Sequence, residues 1–138
     1  MRPSTLAKTA SRIASGEPLD KALAEFLDEF YASPDKPTAF AALADEPGDT
    51  GKRDTDALLA AVADYLARQY LHRPPPAWAF AEKRIALEPV FVGTAPSDAM
   101  KEWQAHHSPA EFKCRNIFAE DRPLRRKMSD RPAFAAQP

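Results

Sequence analysis

The apolar residues of this chain recur at steps of three and four, which is the spacing of one face of an α-helix. The clearest stripe runs from Leu19 to Tyr31 with charged residues on its opposite face, and Ser33-Pro34 ends it. A second long stripe predicts a helix from about residue 54 to residue 71, before three consecutive prolines. Shorter helices are expected near residues 5–15, 35–44 and 97–106. The pattern therefore predicts a mostly helical protein.

Residues 85–93 break this helical pattern. Ile85, Leu87 and the pair Val90-Phe91 favour a strand, but Pro89 argues against a central one. We therefore predict a mostly α fold: a single small helical domain with an irregular or short-β segment around residues 85–93. The domain is expected to span residues 1–128, with 1–17 loosely attached, and 129–138 to form a disordered tail.

Composition narrows the class of protein. A chain of 138 residues is about one domain long and is large enough to fold without metals or disulfides. Fourteen prolines against four glycines suggest short helices joined by stiff connectors. Cys114 is the single cysteine, which excludes an intramolecular disulfide. The sequence has no apolar run of membrane-spanning length and no signal core, so the predicted location is the cytoplasm.

Candidate chemistry is sparse. The sequence has no glycine-rich phosphate loop and no glycine-flanked serine nucleophile. His106 and His107 are adjacent, so on a helix they point apart and do not readily share one metal ion. Cys114 has basic neighbours but no recognisable histidine partner. We therefore predict no catalytic residues, no metal and no cofactor, and a protein that is not an enzyme.

The charge is unevenly distributed, although the net value is only −1. Residues 17–49 carry nine acids and two bases, and residues 108–138 carry seven bases and four acids. Arg125 and Arg126 are the candidate phosphate contacts of a nucleic-acid-binding regulator, although the pI near 6.3 argues against that function. Alternatively, the C-terminal bases pair with the acidic helix at residues 19–31.

The most specific part of the sequence is residues 108–118, which we call the 108–118 corner. Ser108 is a suitable helix N-cap with Pro109 in the first turn, and Asn116 suits a left-handed helix exit. One interpretation is a purely structural corner, with aromatic side chains turned inward. The other is that Arg115 projects from it as an anchor for a partner. On the second interpretation the partner-binding residues are Phe112, Arg115, Asn116, Phe118, Arg125 and Arg126.

The corner also carries a sequence signature, which consists of Ser108, Pro109, Phe112, Arg115, Asn116, Ile117 and Phe118, followed by Leu124 and Arg126. The pattern resembles the C-terminal signature of small bacterial proteins that are often encoded beside a nucleotidyltransferase-fold protein, in pairs similar to toxin–antitoxin modules. The likeness extends over about residues 19–126, but only residues 108–118 are specific. It implies that this chain is the antitoxin-like partner of a nucleotidyltransferase-type toxin and acts by binding it.

Overall fold

The computed structural model describes residues 3–93, 97–120 and 122–136. These residues form the helices α1 (Leu6–Ala14), α2 (Leu19–Tyr31), α3 (Lys36–Ala44), α4 (Arg53–Tyr70), α5 (Asp98–His107) and α6 (Ala110–Lys113), and the strands β1 (Val90–Phe91) and β2 (Ile117–Phe118). Three short 3₁₀ turns lie at Ala77–Phe80, Glu82–Arg84 and Ala133–Ala136. The predicted mostly helical fold with a short β segment is confirmed.

The chain forms two compact units, one from Met1–Gly51 with Leu124–Pro138 and the other from Lys52–Pro123. In the first unit α1, α2 and α3 pack against one another. Leu6 is fully buried and Arg12 pairs with Glu17 and Glu25, so the prediction that residues 1–17 are loosely attached is wrong for the described residues 3–17. Helix α3 begins at the cap Asp35, whose pKa is lowered by hydrogen bonds from Thr38.

The C-terminal segment of the first unit is packed. Phe134 is 1% exposed, and its ring meets that of Phe30 edge-on at 5.5 Å between centroids. The hydroxyl of Tyr31 donates to the Leu124 carbonyl at 2.9 Å. The predicted disordered tail is therefore wrong for residues 129–136, because an aromatic anchor holds them, while residues 137–138 lie outside the described residues.

The second unit is built around α4, which packs against α6, β2 and the turns at 77–80 and 82–84. Five of its alanines are buried, and such small side chains allow neighbouring segments to approach closely. Arg84 is fully buried, with its guanidinium 5.0 Å from the centroid of the Trp78 ring. The helix ends at Tyr70, and His72 then adopts a positive φ of 55°.

The strands β1 and β2 pair in parallel, with Val90 opposite Ile117 and Phe91 opposite Phe118. The pairing joins the predicted irregular segment to the end of the 108–118 corner. None of the helices in the described residues is both long and apolar enough to cross a membrane.

Candidate partner-binding groove

The 108–118 corner is tied together by Ser108. Its Oγ accepts a hydrogen bond from the Ala119 N–H at 2.6 Å, and two carbonyl oxygens, of Gln104 and Ala119, lie 2.6 and 2.7 Å away. The prediction that Ser108 caps the next helix is wrong, because its hydroxyl is used by these groups and Pro109 takes the cap position of α6. Ser108 thus joins the end of α5 to the residue after β2.

Replacing Ser108 by alanine should lower the free energy of unfolding by about 1–3 kcal/mol, because the buried Ala119 N–H loses its acceptor. Urea unfolding followed by circular dichroism measures the change. Ser11→Ala, at an exposed position of α1, serves as the control and should change stability by less than about 0.5 kcal/mol. Equal midpoints for the two variants would contradict the role of Ser108.

Arg115 is buried, with 3% of its side chain exposed. Its Nη1 donates to Asp64 Oδ2 at 2.8 Å and to the Glu111 carbonyl at 2.8 Å. Nε and Nη2 donate to the Ala79 carbonyl at 3.2 and 2.9 Å. A buried guanidinium needs such partners, so Arg115 fixes the corner to α4 and does not project. The prediction that Arg115 is a presented contact is wrong.

Asp64 also forms an ion pair with Arg68 of its own helix. Arg68 Nε lies 2.6 Å from Asp64 Oδ1, and this hydrogen bond raises the pKa of Arg68. One residue further along α4, the Gln69 amide donates to Glu111 Oε2 at 2.9 Å. The Gln69–Glu111 hydrogen bond thus attaches α6 to α4 beside the ion pair of Arg115 with Asp64.

The other predicted contacts of the corner also take structural positions. Phe112 is 1% exposed and meets the Tyr65 ring edge-on at 5.8 Å, so its predicted role in partner binding is wrong. Phe118 is half-buried and stacks on Phe91 at 5.3 Å. Asn116 has a φ of +64°, which confirms the predicted left-handed exit, and its amide donates to the Ala86 carbonyl at 3.3 Å.

Arg125 and Arg126 lie in the first unit and are both exposed. The Nε and Nη2 of Arg126 donate to the two carboxylate oxygens of Asp28, each at 2.9 Å, and the hydrogen bond raises the pKa of Arg126. The structure thus confirms pairing between a C-terminal base and the acidic helix α2. Arg125 retains its predicted partner-binding role as a prediction.

The structure shows a different candidate site in the second unit, a groove of about 520 Å³ between α5, the end of β1 and the residues after β2. We call it the α5 groove. Unusually exposed apolar side chains contribute to it: Met100 is 47% exposed and Trp103 38%. Its described lining consists of Val92, Gly93, Met100, Trp103, Gln104, Ala119, Glu120 and Pro123.

The indole of Trp103 is held in place by its own helix. The His107 ring stacks on it at 4.5 Å with the two planes 13° apart. His107 Nδ1 also lies 2.9 Å from the Trp103 carbonyl oxygen, which fixes the imidazole. An aromatic side chain held in this way loses little conformational freedom when a partner covers it.

Two polar side chains complete the α5 groove. Gln104 is 5% exposed and its Nε2 donates to the Val92 carbonyl at 2.9 Å, while its Oε1 has no hydrogen-bond partner among the described residues. Glu120 is exposed and is the one charged residue in the described lining. The groove thus combines apolar walls with one exposed carboxylate.

The sequence prediction did not include the α5 groove, although Met100 and Trp103 lie three residues apart on one side of a predicted helix. The sequence therefore indicates one wall of the groove. It does not indicate the opposite wall, because Val92 and Ala119 come together only through the pairing of β1 with β2.

The described residues contain no group of three or more histidine, cysteine or acidic side chains that could hold a metal ion. Comparison of the chain with protein-family models, with curated proteins and with solved structures finds no match.

Proposed function

We propose that this chain is a cytoplasmic, non-enzymatic protein-binding module, and that it is the antitoxin-like partner of a nucleotidyltransferase-type toxin. The α5 groove is the observation that supports a binding function. Exposed aromatic and methionine side chains around a concave site are typical of surfaces that bind other proteins. The identity of the partner rests on the resemblance of the 108–118 corner.

The buried network of Arg115 supports this proposal indirectly. It attaches α6 to α4, and the Ser108 hydrogen bonds continue the connection to Ala119 in the wall of the α5 groove. A rigid groove is preorganised, so less free energy is lost on binding to ordering its side chains. In this proposal the signature residues of the corner build the site, and Trp103 and its neighbours contact the partner.

The acidic surface of the first unit is a second candidate contact. Asp20, Asp45, Glu46 and Asp49 are exposed there. Acidic residues on an antitoxin would complement a basic cleft that binds nucleotides or RNA, which would speed association and favour the correct partner. This part of the proposal is supported by charge alone.

The alternative function, a nucleic-acid-binding regulator, has weaker support. Arg126 is already engaged by Asp28 in a two-point ion pair, so a phosphate would have to compete with that carboxylate. Arg125, Lys127 and Arg131 remain as exposed bases of the C-terminal segment. A mobility shift that depends steeply on salt, and that is lost in an Arg125→Ala/Arg126→Ala variant, would favour this alternative.

The direct test is co-expression with the product of the neighbouring gene, which this proposal expects to have the nucleotidyltransferase fold. We expect a stable complex and rescue of growth from its toxicity. Trp103→Ala should weaken the complex about tenfold or more, as loss of an aromatic interface residue commonly does. Leu87→Ala, which removes a 77% exposed side chain that does not line the α5 groove, is the control and should bind like the wild type. Absence of both complex and rescue would refute the proposal.

A further inference from the structure

The α5 groove has mainly apolar walls, but its described lining also carries a negative charge. Glu120 supplies the one charge of its described lining, and Gln104 supplies an amide oxygen that accepts no hydrogen bond from the described residues. That oxygen is itself buried, so the polar group that an occupant meets is the exposed Glu120 carboxylate. This carboxylate favours an occupant that carries positive charge.

The walls of the groove suit the rest of such an occupant. Met100 and Val92 offer aliphatic surface, and the indole of Trp103 offers a fixed aromatic surface. Lysine and arginine side chains place their methylene stems on apolar surface while the charged end reaches a polar group. Cations also bind favourably near the face of an indole. The volume of about 520 Å³ lies within the range of pockets that enclose a ligand.

We propose that the α5 groove receives a lysine or arginine side chain, flanked by an apolar residue, from a segment of the partner protein. The cationic group binds Glu120, and its stem lies between Trp103 and Met100. A phosphate is disfavoured here by the Glu120 carboxylate, so a protein segment is preferred over nucleic acid. This inference rests on the proposed function in one respect, namely that the groove is a protein-binding surface.

The test uses the full chain labelled with ¹⁵N and two matched peptides. In the probe peptide a central lysine is flanked by leucine and glycine, and in the control peptide glutamate replaces the lysine. The chain has two tryptophans, so its two indole N–H signals report separately on Trp103 and Trp78 once Trp103→Phe has assigned them. We expect the lysine peptide to shift the Trp103 signal and leave that of Trp78 unchanged.

Substitutions of Glu120 test the charge requirement at an exposed position, where the fold should tolerate them. Glu120→Gln should weaken binding of the lysine peptide about two- to fivefold, the usual effect of one exposed ion pair. Glu120→Lys should reverse the preference in favour of the glutamate peptide. Unchanged thermal midpoints for both variants would exclude unfolding as the cause.

Three results would overturn the inference: no peptide binding, equal binding of both peptides, or a preference that Glu120→Lys does not alter. A shift of the Trp103 signal by an RNA oligonucleotide but not by the lysine peptide would also overturn it. Failure of the proposed function is a separate outcome, in which the wild-type chain forms no complex with the adjacent gene product. If that complex forms but is insensitive to Glu120→Lys and Trp103→Ala, the function stands and this inference fails.

Discussion

Replacing Arg115 by alanine should lower the free energy of unfolding by about 3–5 kcal/mol, the usual cost of removing one partner of a buried ion pair. The substitution leaves the Asp64 carboxylate, 4% exposed, without its buried cation, and the carbonyls of Ala79 and Glu111 without the Arg115 donors. Arg68 still reaches Asp64, but from an exposed position on the same helix. Chemical denaturation of the purified chain measures the change.

A double variant separates the loss of the pair from the loss of packing. Arg115→Met together with Asp64→Leu removes both charges and keeps most of the buried volume, so it should be more stable than Arg115→Ala. Arg125→Ala removes an exposed arginine and should change stability by less than about 0.5 kcal/mol. If Arg115→Ala unfolds like the wild type but no longer binds the partner, Arg115 is a partner contact after all.

The helices show how much local sequence determines. The predicted helix from Leu19 to Tyr31 has those bounds in the structure, and the one predicted at 54–71 spans Arg53–Tyr70. Their apolar stripes and proline ends are encoded within a few residues, so periodicity alone is sufficient to find them. Local signals also predicted the left-handed exit at Asn116.

The contacts of the 108–118 corner depend on residues far away in the sequence. Serine is a residue type that commonly caps helices, but the Ser108 hydroxyl instead accepts a hydrogen bond from the Ala119 N–H. This contact spans eleven residues, so the local sequence does not indicate it. One local signal does indicate that α4 has a buried cationic partner. Asp64 lies among the buried alanines of α4, and an acid on such a face requires a buried cation. Sequence alone did not indicate which of the arginines supplies it.

The C-terminal segment gave the weakest sequence signal. Phe134 stands alone among small residues and prolines, without a periodic partner, so the composition of residues 129–138 resembles a disordered tail. In the structure one ring holds the segment against α3 and the Phe30 ring. A single aromatic residue can anchor a terminus because it buries a large apolar area at once.

Replacing Phe134 by alanine should therefore lower the free energy of unfolding by about 3–5 kcal/mol, the range for a phenylalanine truncated in a core. Thermal and urea unfolding measure the effect. Leu87→Ala, at a 77% exposed side chain, is the control, and a change below about 0.5 kcal/mol is expected. An unchanged midpoint for Phe134→Ala would instead support the prediction of a disordered tail.

A double-mutant cycle with Phe30 tests whether the contact itself is responsible. The two rings meet edge-on at 5.5 Å, a geometry that contributes about 0.5–1.5 kcal/mol beyond burial of area. Phe30→Ala and Phe134→Ala should therefore cost less together than the sum of the two single changes. Strict additivity would mean that the contact between Phe134 and Phe30 contributes little and that Phe134 is stabilised by other residues. Only a contact shared by the two rings makes the cost of one truncation smaller when the other ring is already absent.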